Sequence, residues 1–172
     1  MVLIKSISGI RGTIFRKGED NLTPFFVLKF VSVFGRYIIK KNSNPKIILG
    51  RDARVSGSQI SKLVSNHLCK MGIDVIELGL TTTPTVGLYV RKKNASGGIM
   101  ISASHNPIEW NALKFFNEKG EFITKNESDY IINYDSNEEF NFSMKNKIGS
   151  IILDNNAVNY HISSILKFIW SC

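Results

Sequence analysis

The sequence contains little of what several large protein classes require. Its two cysteines, Cys69 and Cys172, are too few for a disulfide framework or for a zinc site of their own. No uncharged apolar run approaches the roughly 20 residues of a membrane span. Lys5 interrupts the apolar start of the chain before a secretory signal can form. Together these absences favour a cytoplasmic protein without a membrane partner.

The overall composition is that of an ordinary globular protein. The chain has 172 residues, of which 43% are hydrophobic and 21% are charged, and this length suits one domain or one domain with a short appendage. The net charge of +8 is compatible with an anionic ligand. Its basic residues come in small groups such as Lys40-Lys41 and Arg91–Lys93, whereas a nucleic-acid surface needs them clustered. We therefore expect no nucleic-acid partner.

Strand and helix patterns alternate along the chain. Short apolar or extended runs predict strands near residues 3–7, 46–50, 73–78, 98–102 and 112–116. Helix starts are indicated by Thr23-Pro24, by capping-box patterns at Ser56–Gln59 and Thr124–Glu127, and by the segment from Thr83. This alternation predicts an α/β fold, a three-layer α/β/α domain around a mostly parallel mixed sheet.

Two segments depart from that alternation. Residues 8–12 contain two glycines, which predict a tight loop after the first strand. Residues 134–147 are polar and predict a connector, after which Asp154 is placed to cap a last helix with an apolar stripe from Val158 to Ile169.

Three polar loops follow predicted strands, at residues 51–58, 80–85 and 102–111. In open α/β sheets, ligands bind beyond the carboxyl ends of the strands. The third loop carries Ser104 between small and polar neighbours, with His105 and Asn106 beside it. Lys114 on the next strand and Arg11 from the first loop are expected to reach the same face. An exposed serine with cationic neighbours suits a nucleophile or an anion-binding site.

Each of these residues also has a structural interpretation. Serine and asparagine before proline are common turn formers, and a loop histidine such as His105 is often only exposed to solvent. Arg51, Asp52 and Arg54 fit a surface ion-pair cluster as well as a binding site. His67 lies on the apolar face of its helix and is predicted to be structural. The residues alone therefore support an anion-handling loop.

Four short motifs together resemble those of the α-D-phosphohexomutases, in the order that this family has them. They are Ser8–Gly12, Gly50–Asp52 with Arg54 and Ser56, Thr83–Thr85, and Ser102–Pro107 followed by Asn111–Lys114. The resemblance covers about residues 1–150 and is strongest to the members that act on glucosamine phosphate, with those that act on mannose phosphate or glucose phosphate close behind. Ser102 and Ala112 depart from the threonine and glycine that many members carry, and both changes are small.

The resemblance implies a phosphohexomutase that interconverts hexose 6-phosphates and 1-phosphates through a phosphoserine and a bisphosphorylated intermediate. It implies that Ser104 carries the phosphoryl group and that Arg11, Lys114 and His105 act beside it. Further residues, Ser8, Asn106 and Asn111, would belong to the phosphate environment. One Mg²⁺ ion would bind the Ser104 phosphate and take its other ligands from a domain missing here.

The family members are more than twice as long and have four domains. Their metal-binding aspartate loop has no counterpart here, because the chain contains no Asp-Gly-Asp stretch. We therefore expect residues 1–135 to form the phosphoserine domain, and 136–172 to be a connector and the start of a truncated second domain. The expected substrate is a phosphorylated hexose, and the short chain is expected to be partly or wholly inactive. The alternative is a non-catalytic module that binds phosphorylated ligands, or a partner or second copy through its last helix.

Overall fold

A computed structural model describes residues 3–7, 9–14, 21–133 and 148–170. The strands in this part are β1 (Ile4–Ser6), β2 (Gly9–Thr13), β3 (Lys46–Arg51), β4 (Asp74–Leu80), β5 (Gly97–Ile101), β6 (Trp110–Phe116) and β7 (Ile151–Leu153). The helices are α1 (Pro24–Lys41), α2 (Gly57–Lys70), α3 (Thr83–Lys92), α4 (Lys125–Ile132) and α5 (Ala157–Trp170).

All of these strands belong to one sheet with the order β1-β2-β6-β5-β3-β4-β7. The strands β5, β3, β4 and β7 pair in parallel. Strand β6 is antiparallel to both β5 and β2, so β2 runs in the direction of the parallel set, and β1 pairs antiparallel with β2. Only β1 and β6 thus oppose the common direction in the described part, and the predicted mostly parallel mixed sheet is confirmed.

Helices cover both faces of the sheet. On one face α1, α2 and α4 bury residues such as Phe34, Leu68 and Ile131 against the sheet. On the other face α3 and α5 pack Val86 and Ala157 against it. Covered on both sides, the central strand β3 buries three successive apolar residues, which is why it reads as a continuous run and not as an alternation. The three-layer α/β/α fold is confirmed.

The glycine-rich segment after the first strand forms part of the sheet. Gly9–Thr13 is strand β2 and not the predicted loop, and Arg11 consequently projects from a strand. Gly9 has a φ of 121°, and a Cβ placed on it would overlap the carbonyl oxygen of Leu113 in the neighbouring strand. The glycine therefore permits close strand pairing here, where composition suggested a turn.

The two predicted capping boxes have different outcomes. At Thr124 the box is confirmed, because its hydroxyl accepts from the Glu127 backbone and the Glu127 carboxylate accepts from the Thr124 backbone at 2.7 Å. At Ser56 the prediction is wrong: the residue precedes α2 but its side chain makes no cap hydrogen bond. The Ser56 hydroxyl instead accepts from Asn111 Nδ2 at 2.9 Å, so a distant residue competes successfully with the helix end.

The predicted domain boundary near residue 135 lies outside the described residues. After that boundary, among residues 148–170, strand β7 pairs in parallel with β4, and α5 packs on α3. The division into a first domain and the start of a second one stays a prediction. None of the helices in the described ranges is long and apolar enough to cross a membrane.

Candidate active site

The carboxyl ends of three parallel strands meet at one edge of the sheet. Arg51 at the end of β3 pairs with Leu80 of β4 and with Ile101 of β5. The loops that follow begin side by side, because Thr81 N donates to Arg51 O at 2.9 Å and Asp52 N donates to Ile101 O at 3.0 Å. The three polar loops singled out in the sequence therefore start from the same edge.

The loop between β5 and β6, residues 102–109, is called the serine loop here. It holds Ser104 in an unusual conformation. Ser104 has a φ of 55°, in the left-handed region that residues with a Cβ rarely adopt. The Ser102 hydroxyl accepts from Ser104 N at 3.1 Å, and Ser102 N donates to Ala112 O at 3.0 Å. Such strained backbone persists only where the surroundings hold it, and it is common at functional sites.

A cavity of about 160 Å³ opens in front of this loop. Its lining includes the four side chains predicted to act together, which are Arg11, Ser104, His105 and Lys114. The sheet places Arg11 and Lys114 side by side there. Arg11 on β2 pairs with Ala112 on β6, and Lys114 lies two residues further along on the same face of β6. The lining residues are Gly9, Arg11, Ser102, Ala103, Ser104, His105, Ala112 and Lys114.

Lys114 contacts the serine directly. Its Nζ donates a hydrogen bond to Ser104 Oγ at 2.8 Å. Burial lowers the pKa of the Lys114 ammonium, Asp52 acts in the opposite direction, and the positive charge of Arg11 lowers it further. A lysine with a lowered pKa holds its amine more often uncharged, and in that form it can accept a proton.

Two other predicted site residues, Asn111 and Asn106, do not enter the cavity lining. Asn111 is buried, with Nδ2 on the Ser56 hydroxyl and Oδ1 accepting from Ala112 N at 2.8 Å, so it supports the start of β6. Asn106 turns its backbone carbonyl to Arg54. Ser8 lies outside the described residues.

The structure gives Arg54 and His67 definite partners. Arg54 forms the ion pair with Asp52 that one interpretation expected, but its side chain is only 11% exposed, and it lies behind the serine loop. Besides pairing with Asp52 at 3.3 Å, it donates to backbone carbonyls of that loop. No local pattern could have predicted this, because the carbonyls lie about fifty positions away. His67 lies between α2 and α1, with Nε2 2.5 Å from Ser32 Oγ, as its structural interpretation predicts.

The residues around Ser104 do not by themselves fit a Mg²⁺ ion. A magnesium site needs several oxygen ligands in octahedral geometry. Among residues 3–7, 9–14, 21–133 and 148–170, no three His, Cys, Asp or Glu side chains come together as potential ligands. The Asp52 carboxylate accepts from the Arg54 backbone and from its guanidinium. Magnesium binding through a Ser104 phosphate and ligands outside this chain stays a prediction.

Comparison with known families identifies one match. Residues 4–142 match the model of the phosphoglucomutase/phosphomannomutase α/β/α domain I. A phosphoglucosamine mutase of Natranaerobius thermophilus is 34% identical over 162 residues, which are 93% of this chain and 35% of that protein. A protein of Methanosphaera stadtmanae named as a probable phosphoglucosamine mutase is 37% identical over 83% of this chain and 30% of its own length. The chain spans about a third of the length of these relatives.

Solved structures agree with the sequence relatives. One from Thermus thermophilus, described as a candidate phosphomannomutase, superimposes with a TM-score of 0.74 at 25% identity, over 91% of this chain and 34% of that one. A phosphoglucomutase/phosphomannomutase family protein from Burkholderia thailandensis gives a TM-score of 0.72 at 21% identity, over 91% and 35% of the two chains. At this lower identity, the similarity to the Burkholderia thailandensis protein is evidence for the fold alone.

Proposed function

Because this chain belongs to the phosphoglucomutase/phosphomannomutase family and matches its domain I, we propose that Ser104 receives and returns a phosphoryl group in a hexose phosphate mutase reaction. The sugar would pass between its 6-phosphate and 1-phosphate through a bisphosphorylated intermediate. Relatives named phosphoglucosamine mutase favour glucosamine phosphate as the substrate. Since the chain spans a third of those relatives, we assign to it alone only the formation of phosphoserine.

The observation that carries this proposal is the contact of Lys114 Nζ with Ser104 Oγ at 2.8 Å, inside a cavity that Arg11 also lines. A serine hydroxyl is a weak nucleophile unless a base takes its proton. Phosphoryl transfer depends mainly on positioning and on neutralising the charge of the phosphoryl oxygens. The lysine supplies the proton acceptor, and the arginine supplies a fixed positive charge on the same face of the sheet.

The half-reaction moves one phosphoryl group from a donor sugar to the serine. Ser104 Oγ forms a bond to the phosphorus of a bisphosphorylated sugar, while the bond from that phosphorus to the sugar oxygen breaks. The Ser104 proton passes to the uncharged Lys114 amine, and the sugar oxygen takes a proton from solvent. In the opposite direction the Lys114 ammonium returns its proton to Ser104 Oγ as the phosphoryl group leaves.

The test is phosphate uptake by the chain from glucosamine 1,6-bisphosphate, followed by intact mass and by mapping of the modified residue. We expect one phosphate on Ser104 and none on the Ser104→Ala variant. Ser163→Ala is the matched control, because Ser163 is exposed on α5 and bonds only its own helix, at Asn159 O. Uptake that survives Ser104→Ala, or an unmodified chain after exposure to the donor, would contradict the proposal.

A second candidate function rests on the surface formed by β7 and α5. Exposed large apolar side chains are concentrated there, with Phe168 73% exposed and Leu153 72% exposed. Such a concentration marks an interaction site more often than an ordinary surface. Among the described strands β7 also lies at one edge of the sheet, and an edge strand presents backbone groups for pairing. We propose that this surface binds a second copy of the chain, edge strand to edge strand.

A further inference from the structure

The serine loop is held from behind by a single guanidinium. Arg54 Nη1 donates to Pro107 O at 2.6 Å and to Trp110 O at 3.0 Å. Its Nη2 donates to Ser104 O at 2.9 Å and to Asn106 O at 2.6 Å. Three carbonyls of the loop and the carbonyl of Trp110, the first residue of β6, thus converge on one side chain that lies outside the cavity lining.

The remaining nitrogen fixes the guanidinium itself. Arg54 Nε donates to Asp52 Oδ2 at 3.3 Å, while Asp52 Oδ1 accepts from Arg54 N at 3.1 Å. An arginine carries five N–H groups in a rigid plane, and here all three of its nitrogens are used. The side chain is therefore fixed at its base by Asp52 and binds the loop with its far end.

One of the four carbonyls belongs to Ser104, the residue with the left-handed backbone. The hydrogen bond to its oxygen fixes the peptide plane that follows Ser104, and so helps to hold a conformation that a serine does not favour. Another carbonyl belongs to Trp110, at the start of the strand that carries Lys114. Arg54 thus binds both Ser104 and the start of β6, the strand that carries Lys114, through one rigid guanidinium.

We propose that Arg54 is a positioning residue that holds Ser104 Oγ at Lys114 Nζ, and that this role requires a guanidinium and not merely a positive charge. The proposal rests on the proposed function of Ser104. A lysine at this position would keep the charge but would offer three donors from one atom, which cannot serve four carbonyls and a carboxylate in their present places.

The experiment compares Arg54→Lys with the unsubstituted chain in two measurements. Hydrogen exchange by mass spectrometry should show faster exchange, by about tenfold, in peptides that contain residues 102–110, with the helices unchanged. Phosphate uptake from glucosamine 1,6-bisphosphate should show a maximal rate constant reduced by about 10–100-fold. The half-saturating donor concentration should change little, because Arg54 does not line the cavity. Arg91→Lys, an exposed arginine at the end of α3, is the control and should alter neither.

The outcomes separate this inference from the function on which it rests. Unchanged exchange in the loop of Arg54→Lys overturns it, and so does an unchanged rate of phosphate uptake. If the unsubstituted chain takes up no phosphate, the proposed function fails, and the exchange measurement still decides whether Arg54 holds the loop. If Arg54→Lys does not fold, Asp52→Asn replaces it. That variant keeps the guanidinium but weakens its anchor, and unchanged exchange in the loop would then overturn the inference.

Discussion

Ser104 and Lys114 are ten positions apart and lie on one antiparallel hairpin, with Lys114 Nζ 2.8 Å from Ser104 Oγ. Strand β5 leads into the serine loop, and β6 leads out of it and carries the lysine. Arg11 and Arg54 join this pair from distant parts of the chain, one beside β6 and one behind the loop. The central contact is therefore local, and its surroundings depend on the tertiary fold.

The lowered pKa of Lys114 predicts a pH dependence. If its amine accepts the Ser104 proton, the rate of phosphate uptake rises with pH through the pKa of Lys114, because the charged form cannot accept. Burial and Arg11 place that midpoint below the ordinary lysine value of 10.5. Asp52 opposes the shift, so Asp52→Asn is expected to move the midpoint lower still. The measurement is the initial rate of uptake at saturating donor over a series of pH values.

Lys114→Arg provides the control for that profile. An arginine keeps the positive charge but is not deprotonated in proteins, so the rise with pH should disappear and the rate should fall by about 10²–10⁴-fold. A variant profile that still rises at the same midpoint would assign the titration to another group.

Asp154 predicts how stability depends on pH. The Lys93 ammonium, which donates to it at 2.8 Å, holds the pKa of Asp154 at about 2, below its ordinary 3.8, with the Asn156 backbone and Tyr89 hydroxyl also donating. A carboxyl with a lower pKa in the folded state stabilises the fold above pH 3.8, and this contribution is lost as the pH falls toward 2. Asp154→Asn should therefore cost about 1–2 kcal/mol at pH 7. Urea unfolding at pH 7 and near pH 2 measures it, and an equal difference at both values would contradict the assignment.

Gly120 and Gly79 form a matched pair for backbone substitution. Both have a left-handed φ, of 71° and 66°. A Cβ on Gly120 would overlap the carbonyl oxygen of Gly87 in α3, whereas a Cβ on Gly79 meets no described heavy atom within 4 Å. We expect Gly79→Ala to destabilise by about 1 kcal/mol through strain alone, and Gly120→Ala by about 3 kcal/mol or more. Equal losses in thermal unfolding would show that the approach of the turn to α3 is not tight.

The β7–α5 surface predicts self-association. Sedimentation velocity should show a dimer whose population increases with protein concentration. Ile165→Glu places a charge within the exposed apolar stripe and should shift the equilibrium to a folded monomer, whose far-UV circular dichroism is unchanged. Lys62→Glu, which introduces the same side chain at an exposed position on α2, away from this surface, is the control. A monomer at every concentration would exclude the second copy as the occupant.

Local signals predicted the elements whose stability is local. Helix α1 begins where Thr23-Pro24 indicates, and β3 corresponds to its apolar run. The Thr124 capping box is also confirmed, because both of its partners lie within one turn. In each case the contacts that form the element come from residues that are close in sequence, so pattern and propensity sufficed.

Where prediction failed, the deciding contact was distant. Gly9–Thr13 has too many glycines for a strand by propensity. It forms one because it pairs with β6, which approaches Gly9 so closely that a Cβ there would overlap the Leu113 carbonyl oxygen. The Ser56 hydroxyl bonds Asn111, 55 positions away, and so does not cap its helix. The role of Arg54 depends on carbonyls about 50 positions away. The Asn111 side chain is buried and bonded to Ser56, and its place in the phosphate environment stays a prediction.

The choice of arginine at position 54 separates the scaffold from the proton chemistry. An arginine stays charged at every pH at which a protein is folded, whereas Lys114 is expected to gain and lose a proton in each cycle. The donors that hold the loop carbonyls are therefore present in both charge states of the lysine. A change of protonation in front of the loop leaves its support behind unaltered, so the serine would meet each successive sugar in the same position.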